Sequence, residues 1–256
     1  MLIDFSLLGQ LSAGEITALA MAAALAGLVR GFSGFGAAMI FMPTASAILT
    51  PAVAAPLMLF LDNILGAPLV VRAVPRADYK TVIPIIFGGA LMVPFGGYLL
   101  SVGDHLAVRW AITAIVFALA ALIASGLRYQ GTPRASISFG VGLTSGFLGG
   151  LSQLAGPPVI AYWMSSTITA DVVRANIIVY FAVASLISMT VYWVFGLVGA
   201  ALLGAFLLGA PLYASAIYLG TKLYGRASET TFRRMALVII VVSAVYGMPL
   251  FDDLRP

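Results

Sequence analysis

Two charged residues lie inside otherwise apolar segments of this chain, which makes them the first candidates for chemistry. Arg30 stands at a glycine-rich break between Glu15 and Thr50, and Asp62 stands in the middle of the next apolar run. A cation at the centre of a membrane helix costs about 2.5–3.5 kcal/mol, so it normally has a partner or a function. The planar guanidinium binds oxyanions through paired hydrogen bonds. Arg30 is therefore predicted to bind an anion, with a structural ion pair or a lipid headgroup as the alternatives.

Asp62 and its neighbour Asn63 are predicted to take part in proton coupling. An acidic residue within a membrane segment is rare, and such residues commonly carry protons in transporters. Asp62 is equally suited to be the fixed counter-ion of Arg30, a pairing that would make both residues structural. The residues alone leave these two roles open.

Hydroxyl, amide and glycine residues cluster at two separate places along the chain. Ser and Gln side chains can bind a polar substrate, although they also join membrane helices. Glycine allows either close approach of the backbone to a substrate or close helix packing. Backbone N–H groups at helix starts near 34–36 and 149–151 are expected to help hold an anion. The predicted substrate-binding residues are Arg30, Ser33, Gly34, Gly36, Ser145, Gly149, Gly150, Ser152, Gln153 and Gly156.

Enzymatic chemistry finds little support in the sequence. Cysteine is absent and His105 is the single histidine, so thiol chemistry and a histidine-built metal centre are not expected. The zinc-protease, dinucleotide-binding and P-loop motifs are missing. We therefore predict no catalytic residues, no metal and no cofactor, and an integral-membrane enzyme or a membrane scaffold is a weak alternative.

The composition indicates that lipid is the solvent of these residues. Apolar residues make up 62% of the chain and charged residues 9%, against about 25% charged residues in soluble domains. Apolar runs of about 20 residues are long enough to cross a bilayer. Six such spans are predicted at 51–71, 81–101, 108–127, 175–196, 198–221 and 235–250. Tyr162, Trp163, Tyr192 and Trp193 lie near segment ends, where aromatic residues occupy the membrane interface.

Two longer segments, 15–50 and 136–169, are predicted to be broken re-entrant hairpins. Gly27, Gly31, Gly34 and Gly36 divide the first into arms of about 13 residues, and Gly142, Gly146, Gly149 and Gly150 divide the second. GLVRGFSGFG and GLTSGFLGGL superpose when the chain is shifted by about 115 residues, from 27 to 142. The predicted fold is therefore an all-α polytopic membrane protein with two repeats, 1–132 and 133–256, each a hairpin plus three transmembrane helices.

The basic residues test this topology, because cytoplasmic loops collect Lys and Arg. With two hairpins, ten of the thirteen basic residues share one face. Each repeat then crosses the membrane an odd number of times, so the second repeat is inverted and both termini are non-cytoplasmic. The charges therefore reflect topology rather than a nucleic-acid surface. The ten residues are Arg72, Arg76, Lys80, Arg128, Arg134, Arg174, Lys222, Arg226, Arg233 and Arg234.

The repeated pair GLVRGFSGFGAAMIFMP and GLTSGFLGGLSQLAGPPVIAYW, each followed by three spans, resembles the TauE/SafE family of sulfite exporters and toluene sulfonate uptake permeases. Phe35, Ala37 and Ala38 depart from the glycine run common in this family. The resemblance implies a carrier of sulfite, organosulfonates or related small anions in the bacterial inner membrane, linked to the proton-motive force. Export by alternating access is the preferred interpretation, with a passive anion channel as the alternative. A homodimer is left open.

Overall fold

The computed structural model describes residues 9–63, 70–71, 73–126, 131–164, 168–223 and 229–254, and these residues form a bundle of helices. Short 3₁₀ helices occur at Val74–Arg76 and Pro249–Leu254. The α-helices of the described residues are α1 Ala13–Ser33, α2 Ala37–Leu49, α3 Pro51–Asn63, α4 Tyr79–Val102, α5 His105–Ser125, α6 Ala135–Ser152, α7 Gly156–Trp163, α8 Ala170–Val194, α9 Ala200–Leu223 and α10 Glu229–Gly247.

Six of the described helices, α1, α4, α5, α6, α8 and α9, are long and apolar enough to cross a membrane. The outer face of α4 carries large apolar side chains that a soluble protein would bury, such as Phe87 and Phe95, which are 66% and 59% exposed. The predicted all-α polytopic membrane fold is confirmed. The spans predicted at 81–101, 108–127, 175–196 and 198–221 coincide with α4, α5, α8 and α9, whereas residues 64–69 and 72 of the first predicted span and its loop lie outside the described residues.

Local sequence sets where α1 begins and ends. Ser12 caps its start: the Ser12 hydroxyl accepts from the Glu15 N–H at 3.2 Å, and the Glu15 carboxylate accepts from the Ser12 N–H at 2.8 Å. Gly34 ends the helix in the left-handed conformation at φ 79°, which a residue with a side chain rarely adopts. The chain then turns at Gly36, φ 88°, directly into α2.

The first helix break occupies only the end of the predicted glycine series, and the second lies beyond its predicted glycines. The first helix, α1, continues through Gly27 and Gly31 for 21 residues, and α6 continues through its glycines for 18 residues. At 1.5 Å per residue these arms are about 27–32 Å long, so the prediction of two short arms is wrong for both first arms. The actual breaks are at 34–36 and 153–155.

Helix packing explains why these glycines do not break their helices. Gly142, Gly146 and Gly150 recur at every fourth position of α6, and a Cβ at any of them would collide with the α4 backbone, near Ile85, Gly89 and Val93 respectively. Small residues at this spacing let membrane helices approach closely. Because the residue numbers of the contacting positions increase together along the two helices, α4 and α6 run parallel. The α1 and α9 helices pair in the same way, with Gly27 and Gly31 against Tyr213 and Ile217.

The second hairpin, α6 with α7, begins and ends at the end of the bundle where α4 begins. The Ser138 hydroxyl near the start of α6 lies 2.8 Å from the Tyr162 hydroxyl near the end of α7. The Trp163 indole N–H donates to Thr81 in the first turn of α4 at 3.3 Å. Asn176 of α8 accepts from the backbone N–H of Asp78 at 2.7 Å, so α8 starts there too.

The first hairpin, α1 with α2, occupies the opposite end. Glu15 at the start of α1 and Ile48 at the end of α2 line one cavity together with Arg109 at the start of α5 and Asp252. Arg109 and Asp252 form an ion pair there, with 2.6 Å between Nη2 and Oδ1. The two broken hairpins therefore enter the bundle from opposite ends.

The basic residues that were predicted to share one face of the membrane lie toward one end of the helix bundle. Those within described residues lie at or next to the helix ends on the α4-start side: Arg76, Lys80, Arg134, Arg174, Lys222 and Arg234. Arg72, Arg128 and Arg226 lie outside the described residues, as does the side chain of Arg233. Which end faces the cytoplasm stays a prediction.

We predict that Gly146→Ala destabilises the protein by about 1–3 kcal/mol, because the added Cβ would lie 2.6 Å from the Gly89 Cα and push α6 away from α4. Thermal unfolding of the detergent-purified protein measures the effect. Gly140→Ala is the matched control, since a Cβ at Gly140 on the same helix meets nothing within 4 Å. Equal melting temperatures for the two variants would contradict the packing role of Gly146.

Candidate functional site

The tips of the two hairpins meet at a cavity of about 80 Å³ in the middle of the bundle. A Cβ at Gly156, the first residue of α7, would lie 4.0 Å from Phe35 Cβ at the tip of α1 and α2. The cavity is also bordered by the end of α3, the last turns of α6 and the middle of α8. It has room for a few water molecules or one small anion.

Arg30 and Asp62 form an ion pair on the wall of this cavity. The Arg30 Nε lies 2.8 Å from Asp62 Oδ1, and the two side chains are 23% and 30% exposed. The Tyr213 hydroxyl of α9 donates to the same carboxylate oxygen at 2.9 Å. Arg30 Nη1 donates to the carbonyl of Gly34, which ties the guanidinium to the tip of its own hairpin. The pairing that the sequence left open is therefore present.

Eight of the predicted site residues line the cavity and four do not. The Ser33 hydroxyl donates to the Val29 carbonyl at 2.7 Å, and that of Ser152 to the Leu148 carbonyl at 3.1 Å. Gly34 forms the C-cap of α1, and Gly150 packs against α4. The eight residues that border the cavity are Arg30, Gly36, Asp62, Asn63, Ser145, Gly149, Gln153 and Gly156.

Several of these lining groups already have protein partners that hold the second tip in shape. The Ser145 hydroxyl donates to the Ala155 carbonyl at 2.5 Å and lies 2.7 Å from the Tyr180 hydroxyl. The Gln153 amide nitrogen donates to Gly149 at 2.9 Å and to Tyr192 at 3.0 Å. Gln153 has φ 59°, a conformation unusual for a residue with a side chain. Its hydrogen bonds stabilise this turn.

Of the two helix starts at the cavity, one is close to its predicted position and the other is not. The first is close to prediction: α2 begins after Gly36, and its first residues Ala37 and Ala38 border the cavity. The second lies at Gly156 and not at 149–151, because Gly149 belongs to the last turn of α6, where carbonyls and not N–H groups are unpaired. Proline follows at 157 and 158, so α7 offers fewer N–H donors than α2.

Sequence reasoning missed the buried tyrosines that organise the site. Tyr180, Tyr192 and Tyr213 are at most 1% exposed and bond Ser145, Gln153 and Asp62 respectively. Tyr162, Trp163 and Tyr192, which were predicted at the membrane interface, are buried among the helices, whereas Trp193 is 73% exposed. The signal was available: a phenol in the middle of an apolar span needs a hydrogen-bond partner.

Comparison with known proteins agrees with this architecture. The model of the sulfite exporter TauE/SafE family matches residues 19–247, which is most of the chain and includes both hairpins. The chain belongs to the sulfite exporter TauE/SafE family. No curated protein and no solved structure gives a significant match.

Membership makes this chain a multi-pass protein of an anion-transporter family, as the resemblance of its two glycine-rich segments to that family implies. The TauE/SafE match spans both Arg30 and Asp62, so the ion pair and the cavity lie within the matched region.

We predict that Arg30→Met and Asp62→Leu are each destabilising by about 1–3 kcal/mol, because each leaves an unpaired charge in the bundle. The double variant should be less destabilised than the sum of the two, since it removes both charges together. Thermal unfolding of the four proteins without added anion measures this coupling energy. Additive effects would show that the ion pair contributes nothing to stability.

Proposed function

We propose that this protein is a secondary transporter of a small anion, sulfite or an organosulfonate, that works by alternating access. The substrate site is the cavity between the two hairpin tips. Net transport is export, and it is linked to the proton-motive force through Asp62. The protein resides in the bacterial inner membrane with both termini on the non-cytoplasmic side.

The observation that carries this proposal is Arg30 on the wall of a small cavity where two oppositely inserted hairpins meet. A guanidinium offers five N–H donors in a fixed planar arrangement. The contacts with Asp62 and Gly34 engage Nε and Nη1 of Arg30, which leaves Nη2 and the second N–H of Nη1 for an anion. The start of α2 adds the positive end of a helix dipole. A singly charged oxyanion of a few heavy atoms matches both the charge and the volume.

Alternating access is supported by the arrangement of the hairpins. We propose that 1–132 and 133–256 are inverted repeats, because α1 pairs with α9 in the same parallel, glycine-lined way that α6 pairs with α4. Each hairpin thus packs on a span of the other half. In transporters with inverted repeats, rocking of one repeat against the other exposes a central site to each side in turn.

Asp62 gives this site a means of proton coupling. With Asp62 ionised, the Arg30 charge is neutralised and an incoming anion must compete with the carboxylate for the guanidinium. A proton on Asp62 removes the competitor and leaves Arg30 as an uncompensated cation in a region of low dielectric, where its attraction for an anion is strong. Proton and anion binding would then favour each other, so the two would cross together, and export of the pair requires an outward anion gradient larger than the inward proton gradient.

Replacing Arg30 by Ala should lower sulfite affinity by about 10- to 100-fold, because a charged hydrogen-bond donor is lost. Arg30→Lys keeps the positive charge but lacks the planar set of guanidinium N–H donors, and it should retain part of the affinity. The measurement is sulfite flux in proteoliposomes together with sulfite-dependent thermal stabilisation. Arg76→Ala removes an equal charge from an exposed position and is the control. Unchanged flux in folded Arg30→Ala protein would remove Arg30 from the site.

Replacing Asp62 by Asn should keep sulfite binding while abolishing its dependence on pH, because asparagine imitates the protonated carboxyl. Flux is measured with and without an imposed pH gradient across the vesicle. A passive channel is distinguished in the same assay, since its flux would neither saturate at low sulfite nor respond to the proton gradient. If Asp62→Asn responded to pH like the unmodified protein, Asp62 would be a structural counter-ion alone.

A further inference from the structure

Two serines of α8 border the same cavity and take no part in the functions assigned so far. Ser185 and Ser188 lie on the face of α8 that also presents Phe181 and Ala184 to the cavity, at the spacing of successive helical turns. Ser188 keeps only 3% of its surface accessible, and this remainder borders the cavity. Neither serine stands in a motif of the sequence.

Neither hydroxyl has a hydrogen-bond partner within the part of the chain that the structure describes. Thr190, on the exposed side of the same helix, donates to the Leu186 carbonyl at 2.9 Å, and Ser145 and Ser152 in α6 also have backbone partners. The hydroxyl oxygens that are sealed from solvent without a partner in the described residues belong to Ser46 and Thr113, and not to the two α8 serines. Both α8 hydroxyls are therefore accessible from the cavity and available to donate to a solute there.

Arg30 and the two serines border the cavity from different elements. The Arg30 guanidinium carbon lies 6.0 Å from the centroid of the Phe181 ring, and Ser185 follows Phe181 by one helical turn. Ser188 follows about one turn further along α8, toward Tyr192, which holds Gln153 in the second tip. One anion in a space of about 80 Å³ can therefore meet the cation from α1 and the hydroxyls from α8 together.

We propose that Ser185 and Ser188 donate hydrogen bonds to the oxygens of the anion held by Arg30, and so determine selectivity for anions that carry several oxygens. This inference rests on the proposed transport function and deepens it. Donors spread along the cavity wall can each engage a different oxygen of an oxyanion. A halide has one acceptor atom, which the guanidinium and both hydroxyls would have to share.

The test uses the full-length protein in proteoliposomes, with sulfite and methanesulfonate as probes and chloride as the competing halide. Ser185→Ala and Ser188→Ala should each weaken sulfite binding by about 5- to 10-fold, while competition by chloride changes little. Ser188→Thr restores a hydroxyl and should recover part of the affinity. Thr190→Ala is the matched control and should bind sulfite like the unmodified protein, because its hydroxyl is already bonded within the helix.

Thermal unfolding without anion separates binding from folding. Removing an unpaired hydroxyl should leave stability unchanged or slightly higher, whereas removing a structural hydrogen bond would lower it. A lower melting temperature in Ser185→Ala or Ser188→Ala, or sulfite affinity equal to that of the unmodified protein, would overturn this inference. If both serine variants bind sulfite normally but Arg30→Ala does not, the proposed function survives. If the unmodified protein binds neither probe, the proposed function itself fails.

Discussion

Lipid supplies no hydrogen bonds, and this constraint governs every break in the helices of this protein. Each hairpin tip frees backbone groups and places them next to polar side chains. Around the second tip, the protein satisfies these groups with tyrosines from α8, which reach the carbonyls of Gly149 and Gly150 and the hydroxyl of Ser145. Groups at the cavity that the protein leaves unsatisfied are those that a solute can reach.

Close helix contact makes such a cavity stable. Glycines on α1, α4, α6, α9 and α10 bring backbones so near that a single added carbon would collide. Without water to drive apolar surfaces together, membrane helices depend on this packing for cohesion. The two glycine-lined pairs, α4 with α6 and α1 with α9, form the rigid frame, and the tips project from that frame toward each other.

The ion pair between Arg30 and Asp62 connects this frame to the proposed transport cycle. Its members come from α1 and α3, and Tyr213 joins them to α9. A charge pair at the border of a cavity is less costly than one sealed in apolar surroundings, because solvent or substrate can share its solvation. The pair therefore links α1 and α3 to α9.

The sequence by itself determined the class of the fold, the four spans α4, α5, α8 and α9, and the location of the unusual charges, because lipid imposes a strong and local rule on composition and length. Two of its glycine-rich segments also resemble each other. The eight predicted residues that border the cavity are Arg30, Gly36, Asp62, Asn63, Ser145, Gly149, Gln153 and Gly156. Only the tertiary structure decided whether a glycine such as Gly146 packs a helix or breaks it, because both uses have the same local sequence. The same holds for Ser188 and Ser152: a serine on a membrane helix bonds its own backbone or faces a cavity according to what the neighbouring helices place beside it.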